Sequence, residues 1–340
     1  MYAITVRPTD QTDAKGRHRP GPENMEWTQV PTPTPASGEV RVAVKAVGMN
    51  RADLLQRQGL YPPPPGVSET MGLEVCGTID ALGDDVDGWQ MGDEVVALLA
   101  GGGYAEQVIV PAGQLLHMPE GVEPAVASTL VEVAATVISN MDHVHLHEGE
   151  TILVHGGAGG IGQFAIQYAK ARGCRVVVTA GTQEKRDFCR ELGADVAIDY
   201  HEDWVAAVKE ATDGAGVDVI LDIMGAKYLG ANVDSLAMDG RLVIIGMQGG
   251  VKGELRIDKV LGKRATVTAT SLRFRDLADK ARICRLVEEQ AWPMYASGQI
   301  KPAPVETFAL PDAANAHRRL ESGEVLGKIC LLYTSPSPRD

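Results

Sequence analysis

The pattern of apolar and polar positions changes character near residue 130. Before it, short runs rich in β-branched residues (39–47, 75–79 and 94–99) are separated by Gly, Pro and Asp turns, a spacing that predicts a β-barrel or sandwich. From about 125 to 272 apolar strand-like runs alternate with helical ones. The strands are predicted at 151–155, 175–179, 196–199, 217–222, 241–245 and 265–270, which makes a six-strand doubly wound parallel sheet and an α/β chain. A helical stretch at 276–297, a strand at 305–308, a helix at 312–321 and a strand at 327–331 follow. The expected division is therefore 1–125 for the first part of a β-rich domain, 126–272 for the α/β domain, and 273–331 as a segment returning to the first. Residues 332–340 are rich in Ser and Pro, cannot continue a strand past their prolines, and read as a non-native disordered tail, so that deletion from Tyr333 onward is expected to leave the protein unchanged.

One turn carries most of the chemistry. Gly156-Gly157-Ala158-Gly159-Gly160-Ile161-Gly162 lies between the first strand of the α/β region and a helical run at 163–172. It contains Gly157-x-Gly159-x-x-Gly162, whose offsets allow a tight turn, let the backbone approach a pyrophosphate, and let the helix pack on the strand. Alone, such a loop is more often only a flexible turn. Here the flanking strand, helix and second strand complete a βαβ unit and point to a dinucleotide. The second strand ends in Ala180-Gly181-Thr182, with Lys185 and Arg186 one turn into the next helix. A carboxylate there would accept the ribose hydroxyls of NADH, whereas a small residue, a hydroxyl and a cation suit the 2′-phosphate of NADPH. The plainer alternative makes Lys185 and Arg186 a solvated helix face beside Glu184 and Asp187.

Composition narrows the class. The 340 residues are 44% hydrophobic, enough for a sizeable core. Acidic residues outnumber basic ones by 45 to 32, and the formal charge of −13 argues against nucleic acid or an anionic membrane as the main partner. No run reads as long enough to span a bilayer and no signal-peptide core is present, so a cytoplasmic location is expected. Cys76, Cys174, Cys189, Cys284 and Cys330 are odd in number and widely spaced, which suits reduced core thiols.

The run from Asn50 to Tyr61 followed by Pro62-Pro63-Pro64-Pro65-Gly66 resembles the zinc-free quinone oxidoreductase branch of the medium-chain dehydrogenase/reductase superfamily. So do Gly72-Leu73-Glu74, Gly101-Gly102-Gly103-Tyr104-Ala105-Glu106, the glycine turn and Leu236-Ala237-Met238-Asp239-Gly240-Arg241. The resemblance spans residues 1 to about 331. It implies a GroES-like barrel carrying the catalytic side and a Rossmann domain for NADP. By the same resemblance Asn50 and Tyr61 are the catalytic candidates, Asn50 as a donor to a carbonyl or carboxamide and Tyr61 as a donor or stacking wall. Asp53 is expected to satisfy backbone donors in its turn. Cofactor contacts are expected from Thr136 near the nicotinamide ribose, from Ala158, Gly159, Gly160 and Ile161 at the pyrophosphate, and from Gly181, Thr182 and Lys185 at the 2′-phosphate. Tyr200 would pack by the adenosine, although it could equally be a strand-end aromatic. Gly246, Met247 and Gln248 follow the fifth strand, and Ser271, Leu272 and Arg273 follow the sixth. The segment Glu132-Val133-Ala134-Ala135-Thr136 departs from relatives that carry an aromatic there.

Zinc relatives need thiolate and imidazole ligands around an open position and a four-cysteine lobe. This chain has the Asn50 segment and Gly72-Leu73-Glu74 at the catalytic ligand positions, and no cysteine from Leu98 to Val110. His143, His145 and His147 alternate, but in a polar loop. No metal is therefore expected, which disfavours alcohol oxidation. The resulting expectation is an NADPH-dependent reductase of quinones or α,β-unsaturated carbonyls. Two alternatives stay open: an enoyl-thioester reductase, and a cofactor-binding protein of crystallin-like or RNA-binding type. The sixth strand would leave an open sheet edge, and pairing that edge about a two-fold axis predicts a homodimer.

Overall fold

The computed structural model describes residues 1–13 and 15–333. In chain order it opens with strands β1 (Tyr2–Val6), β2 (Met25–Gln29) and β3 (Glu39–Gly48), helix α1 (Arg51–Arg57), strands β4 (Glu74–Leu82), β5 (Glu94–Leu98), β6 (Gln107–Pro111) and β7 (Leu115–His117), and helices α2 (Pro124–Ala127) and α3 (Val131–His143). Then β8 (Thr151–His155), α4 (Gly160–Ala171), β9 (Arg175–Ala180), α5 (Gln183–Glu191), β10 (Val196–Asp199), α6 (Trp204–Ala211), β11 (Val217–Asp222), α7 (Leu229–Ser235), β12 (Leu236–Ile244), α8 (Ile257–Lys263) and β13 (Thr266–Ala269) alternate. Helix α9 (Leu277–Ala296), β14 (Val305–Ala309), α10 (Ala313–Glu321) and β15 (Lys328–Leu332) close the chain. Two compact units result: residues 1–135, 273–296 and 302 onward in one, residues 136–272 and 297–301 in the other.

In the first unit the sheet runs β14-β15-β3-β4-β5-β7, with β6 also pairing β3. All its pairs are antiparallel except β14 with β15. Strand β3 shows why: from Glu39 to Ala46 alternate residues are buried, so Val40, Val42 and Val44 face a core shared with Val75, Ile79, Val95, Val108, Ile329 and Leu331. The alternation then gives way to five consecutive buried positions, Ala46 to Asn50, which carries the chain inward to the first candidate site.

In the second unit the sheet order is β10-β9-β8-β11-β12-β13, every pair parallel. Counted from β8, this is the 3-2-1-4-5-6 order of dinucleotide-binding sheets. Ile152, Leu153 and Val154 on β8 and Val176, Val177 and Val178 on β9 are all fully buried; helices on both faces demand such continuous apolar runs. Strand β13 pairs with β12 and lies last in the order, with exposed or half-buried residues throughout.

Three differences from the sequence expectation have a physical reason in the structure. Strand β12 starts at Leu236 rather than 241, because Asp239 takes a left-handed φ of 59° and lets the chain re-enter the ladder after a register shift. The expected tail loses two residues to the fold: Leu332 belongs to β15, and the Tyr333 N–H donates to Lys45 O at 3.0 Å while its hydroxyl donates to Glu106 at 3.0 Å. The rest of that tail, 334–340, lies outside the described residues. The third correction concerns apolar length: Pro124–His143 is long and apolar enough to cross a membrane, with mean hydropathy 1.3, but 78% of that window is buried inside the protein, so packing accounts for its composition.

Candidate functional site

The glycine turn follows β8 and leads into α4, and each glycine has its own physical cause. Gly156 has φ +72°, a left-handed conformation that favours glycine. A Cβ at Gly157 would lie 2.9 Å from Cys189 Sγ and Val178 Cβ, and one at Gly162 would lie 2.5 to 2.6 Å from backbone atoms of Gly156 and Gly157. Gly159 is different. It is exposed, its φ of −79° suits any residue, and a Cβ there would meet only Gly156 O at 3.6 Å among the described residues. It caps α4 without a side-chain hydrogen bond, so the helix N-terminus presents its N–H groups beside a glycine that the packing described around it does not require. A pyrophosphate fits that cradle: it needs N–H donors and close backbone approach.

The turn is fixed from below by a residue that sequence reasoning missed. His155 ends β8, fully buried, with Nε2 2.8 Å from Asn232 Oδ1 and Nδ1 3.0 Å from Thr179 Oγ1. The amide oxygen only accepts, so Nε2 donates to it and Nδ1 accepts the threonine hydroxyl. Thr179 O in turn accepts from the N–H groups of Gly156 and Gly157 at 3.1 and 3.0 Å. Burial lowers the His155 pKa to about 4, which keeps the ring neutral. The available signal was a histidine closing an otherwise apolar strand directly before the glycines.

Apart from Thr136 and Arg273, the remaining nucleotide candidates follow the carboxyl ends of strands of this one sheet. At the end of β9, Gly181 allows the Tyr200 ring to approach: a Cβ would lie 2.6 Å from the tyrosine hydroxyl oxygen. Thr182 caps α5 by accepting from Lys185 N at 3.2 Å. Lys185 is half-buried, and Tyr200, 42% exposed, packs on His201 with ring centroids 4.4 Å apart. Arg186 is tied to Asp199 at 2.5 Å and to Gln183 at 2.9 Å. Beyond β12, Gly246 sits where a Cβ would lie 2.6 Å from Ile223 O, Met247 is 60% exposed, and Gln248 N donates to Ile223 O at 3.3 Å. Ser271 is exposed and Leu272 half-buried after β13. Thr136, on α3, is buried, and its carbonyl accepts from Asn140 Nδ2 at 2.7 Å.

The other candidates belong to the first unit, and Arg273 is among them. Its Nε donates to Ala100 O at 2.6 Å, Nη1 to Tyr61 O at 3.0 Å and Nη2 to Gln56 Oε1 at 2.8 Å. Its guanidinium lies 5.0 Å from the centre of the Tyr61 ring. Arg273 thus buttresses Tyr61. Tyr61 also meets Phe274 edge to face at 5.8 Å, and Phe274 is 55% exposed, a second aromatic absent from the sequence expectation.

Asn50 is the N-cap of α1, almost wholly buried. Asp53 accepts from Asn50 N at 2.8 Å and from Gly72 N at 3.0 Å, so it does satisfy backbone donors, joining the Asn50 turn to the Gly72 loop. Burial raises its pKa to about 6. The Asn50 side chain meets two groups that sequence reasoning did not assign: Nδ2 donates to Glu74 Oε1 at 2.9 Å and Oδ1 accepts from Lys328 Nζ at 2.6 Å. Lys328 also pairs with Glu74 at 2.9 Å, and both are buried. The sequence signal for Lys328 was a lysine opening an apolar strand. Deeper still, Arg57 Nη1 donates to His317 Nδ1 at 2.9 Å, so His317 Nε2 carries the proton facing Tyr104 Oη at 3.2 Å. Burial and the Arg57 charge lower His317 to about 3. Among the described residues no group of three or more His, Cys, Asp or Glu side chains could hold a metal ion. His143 instead contacts Thr268 Oγ1 at 3.0 Å.

A 3-2-1-4-5-6 sheet with this turn, together with a separate β-rich unit, defines a two-domain oxidoreductase class. The comparisons agree. Residues 36–120 match the alcohol dehydrogenase GroES-like domain and residues 160–284 the zinc-binding dehydrogenase family. A quinone oxidoreductase of Pseudomonas aeruginosa is 32% identical, over 92% of this chain and 96% of its own length. A 2-haloacrylate reductase of a Burkholderia species is 29% identical, over 92% and 96%. The crystal structure of Escherichia coli quinone oxidoreductase complexed with NADPH superposes with a TM-score of 0.85 at 29% identity, covering 98% of this chain and 100% of that one. The chain belongs to the medium-chain dehydrogenase/reductase superfamily, among the quinone oxidoreductases.

Proposed function

We propose that this chain is an NADPH-dependent, zinc-independent reductase that passes hydride to a quinone or an α,β-unsaturated carbonyl. The carrying observation is the glycine cradle, where Gly159, the N-cap of α4 with no side-chain hydrogen bond, is left open at the helix N-terminus. Relatives named for quinone and haloacrylate reduction, and a similar structure holding NADPH, support it.

NADPH, when bound, supplies the hydride. The chain's own residues bind and orient. Ala158, Gly159, Gly160 and Ile161 would hold the pyrophosphate, and Gly181, Thr182 and Lys185 the 2′-phosphate, with Tyr200 against the adenosine. Gly246, Met247, Gln248, Ser271 and Leu272 would border the remainder, and Thr136 the nicotinamide ribose. Asn50 would donate Nδ2–H to the acceptor carbonyl, and the Tyr61 ring, stiffened by Arg273, would give an aromatic wall for a planar acceptor. Quinones and enones need only such hydrogen-bond help. We also propose that the protein works as a homodimer in the cytoplasm, with β13 edges paired.

The test is an NADPH-oxidation screen across small quinones, enones and a crotonyl thioester, with NADH in parallel. Turnover is expected with quinones or enones and with NADPH preferred. Turnover confined to the thioester, or equal use of NADH, would overturn the reading.

A further inference from the structure

The buried trio of Asn50, Glu74 and Lys328 has more order than an ion pair needs. Three elements converge on it: the β3–α1 junction supplies Asn50, β4 opens with Glu74, and β15 opens with Lys328. Asn50 is 9% exposed, Glu74 0% and Lys328 5%. The second carboxylate oxygen of Glu74 accepts from Glu132 N at 2.9 Å, so the carboxylate cannot rotate without losing a backbone partner. A Cβ at Gly48 would overlap Glu74 Oε1, so the chain entering Asn50 passes directly over it. The Asn50 backbone is held independently by Asp53.

Donor chemistry decides which way the Asn50 amide points. An ammonium only donates and an ionised carboxylate only accepts, so Oδ1 must face Lys328 and Nδ2 must face Glu74. One Nδ2 hydrogen goes to Glu74. The other has Gly48 O at 3.5 Å, the outer limit of a hydrogen bond, where little is lost by exchanging it for a better acceptor. The ammonium beside Oδ1 draws electron density toward the amide oxygen while the carboxylate on the first Nδ2–H pushes it back toward nitrogen, so what the two charges together impose on the second N–H is its direction.

We propose that Lys328 and Glu74 are positioning residues for the reduction: they lock the orientation of the Asn50 amide, so that its second Nδ2–H, which otherwise has only Gly48 O at 3.5 Å, meets the negative charge growing on the acceptor oxygen during hydride transfer. The trio then does with a fixed dipole what a metal does in zinc relatives. This rests on the placement of Asn50 at the acceptor proposed above.

Removing one charge alone strands the other in the interior, so the test pairs Lys328→Met with the charge-balanced Lys328→Met/Glu74→Gln, in the full chain. Thermal melts establish folding, and NADPH affinity is read by fluorescence titration. Steady-state rates use a benzoquinone and a cyclic enone. Expected for the double variant is a fall in kcat of about 10- to 100-fold with acceptor KM changed less than about threefold and NADPH affinity within about twofold. Lys328→Arg should recover a large part of kcat. In the apoprotein, the Asn50 side-chain amide resonances should shift and lose exchange protection in both variants carrying Met. A folded double variant with unchanged kcat overturns the proposal, as does a loss of NADPH affinity that accounts for the fall in rate, which would make Lys328 a cofactor ligand. Asn50→Ala separates the two levels: unchanged turnover there removes the Asn50 placement itself, whereas a loss there with none at Lys328 removes only the coupling.

Discussion

Two neighbouring glycines in the same turn should respond to the same substitution in opposite ways. At Gly162 an added methyl would lie 2.5 to 2.6 Å from backbone atoms of Gly156 and Gly157; these cannot move without opening the turn, and overpacking of this kind costs about 1–3 kcal/mol of stability. At Gly159 the methyl meets nothing closer than 3.6 Å, and the backbone is extended, φ −79° and ψ 167°. Gly→Ala at a compatible conformation gains about 0.4–1 kcal/mol through the unfolded chain, and the poorer N-cap character of Ala takes back a similar amount. Gly159→Ala should therefore melt within about 2–4 °C of the unmodified protein. Its defect should show only when the pyrophosphate arrives, since the methyl occupies the face the phosphates must approach.

If the bound cofactor meets that methyl as a core meets an extra methylene, the cost is again about 1–3 kcal/mol, or roughly 5- to 150-fold in NADPH affinity. The assay is a pair of measurements on each variant: a melt without cofactor, and a fluorescence titration with NADPH. Gly162→Ala should fail the first and Gly159→Ala the second. NADPH binding by Gly159→Ala within twofold of the unmodified protein would refute the cradle argument.

Three further outcomes are expected. Prolonged chelation should leave turnover intact, and stoichiometric zinc with loss of activity on chelation would contradict it. Lys185→Glu should weaken NADPH by roughly 1–3 kcal/mol, the worth of a charge-assisted hydrogen bond, while NADH binding changes much less; equal losses would remove Lys185 from the 2′-phosphate. The pH dependence of stability should be set partly by buried histidines: His317, lowered to about 3, contributes stability above pH 6.5 that is lost as pH falls toward 3, up to roughly 5 kcal/mol. Asp53, raised to about 6, works in the opposite direction between pH 3.8 and 6, so urea melts should show a shallow decline to about pH 4 and a steeper one below. His317→Gln, which can still accept from Arg57, should flatten that acid limb; an unchanged limb would show that His317 is not what titrates.

The parts of this chain that were legible in the sequence are those where one local pattern has one structural outcome. Apolar runs flanked by helix periods gave β8 to β11 nearly to the residue, because a strand covered by helices on both faces is mostly apolar through its middle and takes a buried polar side chain only where a partner is built for it, as at His155 and Thr179. The glycine turn was legible because its spacing answers to local requirements, a left-handed φ at Gly156 and close packing at Gly157 and Gly162. The side-chain partners of Arg273 were not legible. Its place in the chain, just past β13, groups it with the nucleotide edge, but its side chain goes to three acceptors near Tyr61 that lie more than 170 residues earlier in sequence. Leu332 was lost for the opposite reason: the prolines beyond it were allowed to end the strand early, although a Pro affects the residue just before it most strongly.

Lys328 shows what a linear reading cannot supply. In sequence it is one lysine at the start of an apolar strand, and a snorkelling side chain at the sheet margin would look the same. Its meaning depends on Glu74 and Asn50, 254 and 278 residues away, and on a sheet order that places β15 beside β3 and β3 beside β4. An ion pair as deeply buried as this one gains little net stability over apolar residues of similar shape. Its oxygens and nitrogens nevertheless fix the orientation of an amide whose remaining hydrogen has no strong acceptor within the trio. An amide held this firmly, with its remaining hydrogen 3.5 Å from Gly48 O, is arranged for an acceptor that comes and goes, and under the proposed function that visitor is the carbonyl being reduced.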